Sequence, residues 1–211
     1  AKLQDFKLTE QTVIFAGGLN STKGQHYGSR LTFDNQGYLY ISNGDRGNRD
    51  VNPQSLERYA GKIHRINSDG SIPEDNPFVA KTAALASIYS YGHRNPQGMA
   101  MHPVTGDIWT HEHGPKGGDE VNIIQQGANY GWPVISYGVN YSGTSFTELT
   151  EKEGMQQPAW YWVPSIAPSG MTFVTSDIYP DWKGKIIVGS LKFAYLVALE
   201  LDGNKVLSQE V

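Results

Sequence analysis

Three short hairpin units recur along this chain at nearly equal intervals, and that recurrence restricts its fold more than any other feature. The first reads Leu31-Thr32-Phe33, a turn at Asp34-Asn35-Gln36-Gly37, then Tyr38-Leu39-Tyr40-Ile41-Ser42. The second reads Met99-Ala100-Met101-His102-Pro103, a turn at Thr105-Gly106-Asp107, then Ile108-Trp109-Thr110. The third pairs Met171-Thr172-Phe173-Val174 with Lys185-Ile186-Ile187-Val188-Gly189 across a longer connection. Apolar, β-branched and aromatic runs broken by Gly, Asn and Asp are the pattern of antiparallel strands joined by turns. Phe33, Met101 and Phe173 fall 68 and 72 residues apart. Small antiparallel sheets repeating at a long, steady period predict a β-propeller, whose rings hold ~4–8 blades. A β-sandwich also spaces its strands among turns, but the near-equal long intervals favour the propeller. Further strands are expected at residues 62–67, which alternate with period two, and at 196–201, which run into Asp202-Gly203-Asn204. Residues 81–87 read as one short helical turn or two. At about 70 residues per blade, 211 residues make about three blades, fewer than a closed ring needs. The chain is therefore expected to be part of a larger propeller or to rely on self-association for closure, because an open ring leaves sheet edges uncovered.

Composition supports this and narrows the chemistry. Glycine is 24 of 211 residues, with 12 Tyr and 5 Trp, which suits short strands and tight turns. The net charge of −4 argues against nucleic acid as a partner, since phosphate recognition needs a basic face. No apolar run approaches the ~20 residues of a membrane helix. The absence of cysteine excludes disulfides, thiolate nucleophiles and Cys-ligated zinc or iron–sulfur centres. Nor is there a Gly-x-Gly-x-x-Gly fingerprint, a P-loop or a Gly-x-Ser-x-Gly elbow, which disfavours the usual nicotinamide enzymes and serine hydrolases. The chain opens at Ala1 without Met or signal peptide, the expectation for a processed chain or an excerpt.

Several polar clusters flank the strands. Gly24-Gln25-His26-Tyr27-Gly28 precedes the first strand and Gly44-Asp45-Arg46-Gly47 follows its hairpin partner. Antiparallel pairing puts both ends on one side of the sheet, so His26 and Asp45 can meet, with Asp45 fixing the imidazole tautomer. A surface His beside a turn Asp is the plainer alternative from spacing alone. In Tyr91-Gly92-His93-Arg94-Asn95-Pro96-Gln97-Gly98, Arg94 offers a planar fork to a carboxylate or carbonyl. In Thr110-His111-Glu112-His113-Gly114-Pro115-Lys116-Gly117-Gly118-Asp119-Glu120, the two histidines face the same way on a strand but have no identifiable third zinc ligand. A hard cation suits the carboxylates of Asp119 and Glu120 and the carbonyls that Gly and Pro expose in this run better, against the alternative that the two acids are solvated turn residues. Asn129-Tyr130-Gly131-Trp132-Pro133 and Tyr137-Gly138-Val139-Asn140-Tyr141-Ser142-Gly143 supply aromatics that can floor a flat pocket or simply join the core. Lys192 follows an apolar strand and either extends to solvent or pairs with an anion.

Taken together, residues 24–31, 61–78, 92–98, 112–120, 129–133 and 189–192 resemble the soluble PQQ-dependent aldose sugar dehydrogenases of the glucose/sorbosone dehydrogenase family. The match runs in order along nearly the whole chain; Gly-His-Arg-Asn-Pro-Gln-Gly followed by His-Gly-Pro and Gly-Gly-Asp-Glu is its most specific part. The resemblance implies a six-bladed β-propeller of four-stranded antiparallel blades, of which this single domain, residues 1–211, lacks the first and last blade regions. It implies two cofactors, pyrroloquinoline quinone (PQQ) and calcium, at the mouth, and oxidation of an aldose at its anomeric carbon to a lactone. Electrons then pass to an external acceptor. By the same resemblance His26 is the general base, Asp45 orients it, and Arg94 lies near the quinone carbonyls. Asn95, Tyr141, Ser165 and Lys192 are further cofactor contacts. Gly114 and Pro115 present carbonyls to the catalytic calcium, and Glu120 with the Tyr130 carbonyl forms a second, structural site. A periplasmic or secreted location is implied as well. The alternative function is a non-catalytic propeller module that binds a protein or glycan; it would not need His26, Asp45, Arg94, Gly114-Pro115 and Lys192 together.

Overall fold

The computed structural model describes residues 1–18 and 20–211, which hold fourteen β-strands and no helix. Strands β1 (Lys2–Gln4) and β2 (Lys7–Thr9) form a two-stranded antiparallel hairpin. Three four-stranded antiparallel sheets follow, each a meander in chain order. The first contains β3 (Gly28–Phe33), β4 (Leu39–Asn43), β5 (Lys62–Ile66) and β6 (Ile88–Tyr91). The second contains β7 (Pro96–Met101), β8 (Ile108–Glu112), β9 (Asp119–Ile123) and β10 (Trp160–Trp162). The third contains β11 (Pro168–Phe173), β12 (Ile186–Ser190), β13 (Tyr195–Asp202) and β14 (Lys205–Glu210). Strand β7 lies against both β3 and β11, so the first strand of every sheet is the inner one and the sheets fan outward from it. This is an arc of a β-propeller with four-stranded antiparallel blades, as the hairpin period predicts. Residues 81–87 form two separate turns, closed by Ala84 N–H to Lys81 O and Ile88 N–H to Leu85 O.

Apolar faces of adjacent blades hold the arc together. Between the first two, Tyr40 and Ile63 pack with Met99, Ile108, Ile124 and Tyr130. Between the next two, Trp109, Val121 and Trp162 pack with Phe173, Ile186, Val188, Val197 and Leu199. Each such side chain contributes about 1.5–3 kcal/mol when fully buried. In the first blade the second blade covers one face of β5, and Phe15 and Tyr59 pack on His64 on the other, so the polar members of this strand are buried too. The period-two reading of residues 62–67 expects an apolar face and a wet one; instead all five residues of β5 are buried. Lys62 donates to the carbonyls of Asn52, Pro53 and Ala60. Arg65 donates to Asn76 and Asp75 and lies over the rings of Tyr38 and Tyr89. Burial without such partners would cost several kcal/mol.

Two imidazoles fasten the second blade to the third. His111 Nε2–H donates to Gly170 O (3.1 Å), and His113 Nε2–H donates to Pro168 O (2.6 Å). They do face the same way, but toward the carbonyls of β11. Gly98 makes room for this contact, since a Cβ there would fall 2.1 Å from His111 Cδ2.

Candidate active site

The meander topology gathers the polar clusters at one end of the blades. His26 lies just before β3 and Asp45 just after β4; Arg94-Asn95 precedes β7 and Gly114-Pro115 follows β8. His26 Nδ1–H donates to Asp45 Oδ1 at 2.6 Å. Asp45 is 0% exposed, whereas the His26 side chain keeps 17% of its surface open. Gly47 N–H donates to the same oxygen at 2.7 Å and Trp132 Nε1–H donates to Oδ2 at 2.8 Å, so the buried carboxylate is fully engaged. The imidazole is thereby fixed as the Nδ1–H tautomer, and Nε2 has no hydrogen-bond partner among the described residues. The two chain segments approach so closely that a Cβ on Gly44 would lie 2.1 Å from His26 O, and Gly28 adopts φ +66° beside it.

Arg94 and Asn95 tie the loops of two blades together. Arg94 O accepts from Asp45 N–H at 2.7 Å, and Arg94 N–H donates to the Glu112 carboxylate. Arg94 Nη1 donates to the carbonyls of His113 (2.8 Å) and Gly114 (2.7 Å). Asn95 Oδ1 accepts from Gly28 N–H at 3.1 Å, and Asn95 O from His113 N–H. The Arg94 guanidinium sits 5.3 Å from the Trp132 ring centre, and its Nε is buried without a partner.

His26, Asp45, Arg94, Pro115, Trp132 and Tyr141 line a cavity of about 270 Å³, with Lys23, Arg49 and Asn140 at its wall. Arg49 donates to Asn140 Oδ1 across the loops. A much smaller cavity of about 10 Å³, room for one water-sized centre, lies behind it against Glu112, Gly114, Glu120, Tyr130 and Trp132. Burial, and the Glu112 carboxylate nearby, push the Glu120 carboxyl up to about 8. A cation there would reverse that cost. No three His, Asp or Glu side chains converge as metal ligands among the described residues, so a hard ion must take carbonyl oxygens as well.

Other expected positions lie apart from the large cavity. Lys192 is exposed in the turn after β12, its ammonium over Phe193. The Ser165 hydroxyl donates to Asp119 Oδ2 at 2.6 Å. Asp119, read from sequence as a cation ligand or a turn acid, is instead 0% exposed at the start of β9. Its Oδ2 also accepts from the Ile166 and Ala167 N–H groups, and its Oδ1 from Gly114 N–H. Its lone pairs are spent inside the protein. Sequence reasoning also left Glu112 without a role and gave Trp132 no link to Asp45; the indole and the carboxylate are 87 residues apart. The only local hint is that an aromatic set among glycines can serve as wall or floor.

Buried imidazoles give the molecule an acid sensitivity. Burial pushes His111 down to about 3, pushes His64 down to about 4 and lowers His113. Between their unfolded value near 6.5 and these lower values, the unfolded chain binds more protons, so stability falls as pH falls. Glu120, raised in the fold, works the other way, one group against three. The denaturation midpoint is expected to drop between pH 6.5 and 4.5, with an unfolding free energy lower by about a few kcal/mol in all. A midpoint that is flat or rises over this range would contradict neutral buried imidazoles.

Comparison with known proteins places this geometry in context. A family described as Glucose / Sorbosone dehydrogenase matches residues 1–211. The chain is 44% identical over 202 residues to aldose sugar dehydrogenase YliI of Escherichia coli (strain K12), covering 95% of this chain and 54% of the relative. A crystal structure of a glucose dehydrogenase superposes with a TM-score of 0.95 at 41% identity, covering 99% of this chain and 61% of that one. The PQQ-bound form of aldose sugar dehydrogenase from Streptomyces coelicolor aligns with a TM-score of 0.70 at 28% identity, over 89% and 49% of the two chains. The chain thus spans about half to three-fifths of the length of these proteins.

Proposed function

We propose, for a chain that belongs to the glucose/sorbosone dehydrogenase family, that its protein oxidises aldose sugars at the anomeric carbon to lactones, using PQQ and calcium and an external electron acceptor. The observation that carries the reading is the imidazole of His26, held by a buried carboxylate and open to a cavity beside Arg94. The residues present suit the two cofactors. Arg94 Nε is buried with no partner among the described residues, and at the cavity wall the cations Lys23, Arg49 and Arg94 outnumber the acids Asp45 and Asp50, which favours a polycarboxylate quinone. We assign Arg94, Asn95 and Tyr141 to the quinone, and with them, on the family resemblance alone, Ser165 and Lys192, which do not line the cavity. The carbonyls of Gly114 and Pro115 are assigned to the catalytic calcium, and Glu120 with the Tyr130 carbonyl to a second calcium. A periplasmic or secreted location belongs to the same reading.

When bound, the quinone supplies a two-electron acceptor for the hydride at C1, and calcium the electrophile that polarises it. The chain's own residues handle the proton and the charge. His26 Nε2 accepts the proton of the anomeric hydroxyl. Asp45 stabilises the imidazolium that results, and its burial strengthens that attraction. Arg94 stabilises negative charge developing in the cavity, held in place by the carbonyls of His113 and Gly114.

The direct test adds PQQ and calcium to the full-length protein and follows dye reduction with glucose or a disaccharide. Sugar-dependent reduction is expected; none at all would leave the non-catalytic binding module standing. A separate expectation concerns the small cavity. Glu120→Ala should lower the melting temperature in calcium but not in chelator, and an equal change in both media would remove the second calcium.

A further inference from the structure

We infer that Trp132 is a positioning residue for proton transfer, fixing the Asp45 carboxylate through its indole N–H and supporting Arg94 on its ring face. The inference rests on the reading of His26 as the base. The two oxygens of Asp45 have separate duties: Oδ1 accepts from His26 and Gly47, while Oδ2 accepts from Trp132. Asp45 is closed to solvent, and nothing else among the described residues holds Oδ2, so removing the indole N–H takes away the one protein donor on that oxygen. The carboxylate can then turn, and the imidazole loses the contact that selects its tautomer.

Trp132 is itself braced. Its backbone N–H donates to Gly92 O at 2.9 Å, its carbonyl accepts from Gln54 Nε2 at 2.8 Å, and Phe146 packs edge-on at 5.2 Å. It lines both cavities, and so stands between the proton acceptor, the guanidinium and the small acidic space behind them. The long connection between β9 and β10 thus delivers a structural group to the site rather than merely joining two strands. The titratable groups near His26 include Lys23, Arg49, Asp50 and Arg94 at the cavity, Arg46 beside its backbone and the buried His113; none of them bonds to Asp45 Oδ2.

The experiment replaces Trp132 with 3-benzothienylalanine, which keeps the shape and removes the N–H, and in parallel makes Trp132→Phe, both in the full-length protein. Nitrogen-15 and proton NMR of the His26 imidazole is recorded before any sugar or cofactor is added. The wild type is expected to show a single Nδ1–H tautomer with a low-field bonded proton. Both variants should lose that proton signal and show mixed tautomers, while the isostere melts within a few degrees of wild type. In the loaded enzyme kcat should fall about tenfold or more with KM changed less than about threefold. An isostere with the wild-type His26 spectrum overturns the inference. A changed spectrum with unchanged turnover keeps the positioning role and overturns His26 as the base.

Discussion

His26→Ala in the full-length protein, supplied with PQQ and calcium, is expected to lose about 10³-fold in sugar-dependent turnover, within the usual range for removing a positioned base. Sugar binding should change far less, because the imidazole acts on one proton rather than on the body of the ligand. Asp45→Asn should be nearly as damaging for a different reason. The carboxylate accepts from His26 and Gly47 on Oδ1 and from Trp132 on Oδ2, so an amide turns its N–H₂ either against the Trp132 indole or against both His26 and Gly47. If the amide N–H₂ faces His26, the imidazole must accept at Nδ1 and carry its proton on Nε2, where it cannot take one from a hydroxyl. The two variants therefore separate loss of the base from loss of its tautomer. Steady-state dye reduction and sugar affinity measured side by side check both. Activity of His26→Ala within about tenfold of wild type would remove His26 from the chemistry.

Asp119→Ala carries the largest expected cost in stability, about 3–5 kcal/mol in urea denaturation of the full-length protein. One buried carboxylate accepts from Gly114 N–H, Ser165 Oγ–H, Ile166 N–H and Ala167 N–H. Its removal strands the Gly114 and Ile166 N–H groups and the Ser165 hydroxyl where the second blade meets the approach to β11, while Ala167 N–H keeps Ser165 Oγ at 3.2 Å, and each stranded group costs about 1–3 kcal/mol less whatever relaxation recovers. The same change releases the Gly114 peptide, whose carbonyl we assign to calcium, so calcium affinity should fall with stability. A loss under about 1 kcal/mol would mean that solvent or neighbouring groups replace the carboxylate, and that Asp119 does not organise this junction.

These expectations rest on two kinds of information. The hairpins at Phe33, Met101 and Phe173 were legible because alternation and turn chemistry involve residues adjacent in the chain. The meeting of His26 and Asp45 was legible for the same reason, since an antiparallel hairpin returns its two ends to one side. Strands β1, β2, β6, β9, β10 and β14 were not. Asp119-Glu120-Val121-Asn122 looks like a polar loop, because Asp119, which starts β9, is satisfied by groups 5 to 48 residues away.

What the sequence alone determined about this protein is therefore its repeating hairpin plan, its likeness to the glucose/sorbosone dehydrogenases, and the kinds of side chain available at one end of the blades. Tertiary structure decided the rest. It buried Lys62, His64 and Arg65 among carbonyls and rings, turned Asp119 into an acceptor for a neighbouring blade, and brought Trp132 onto Asp45. Local periodicity sets which way a side chain leaves its strand. Whether it meets water, a carbonyl or another charge depends on which distant segment is packed against it, and that determines both its cost and its chemistry.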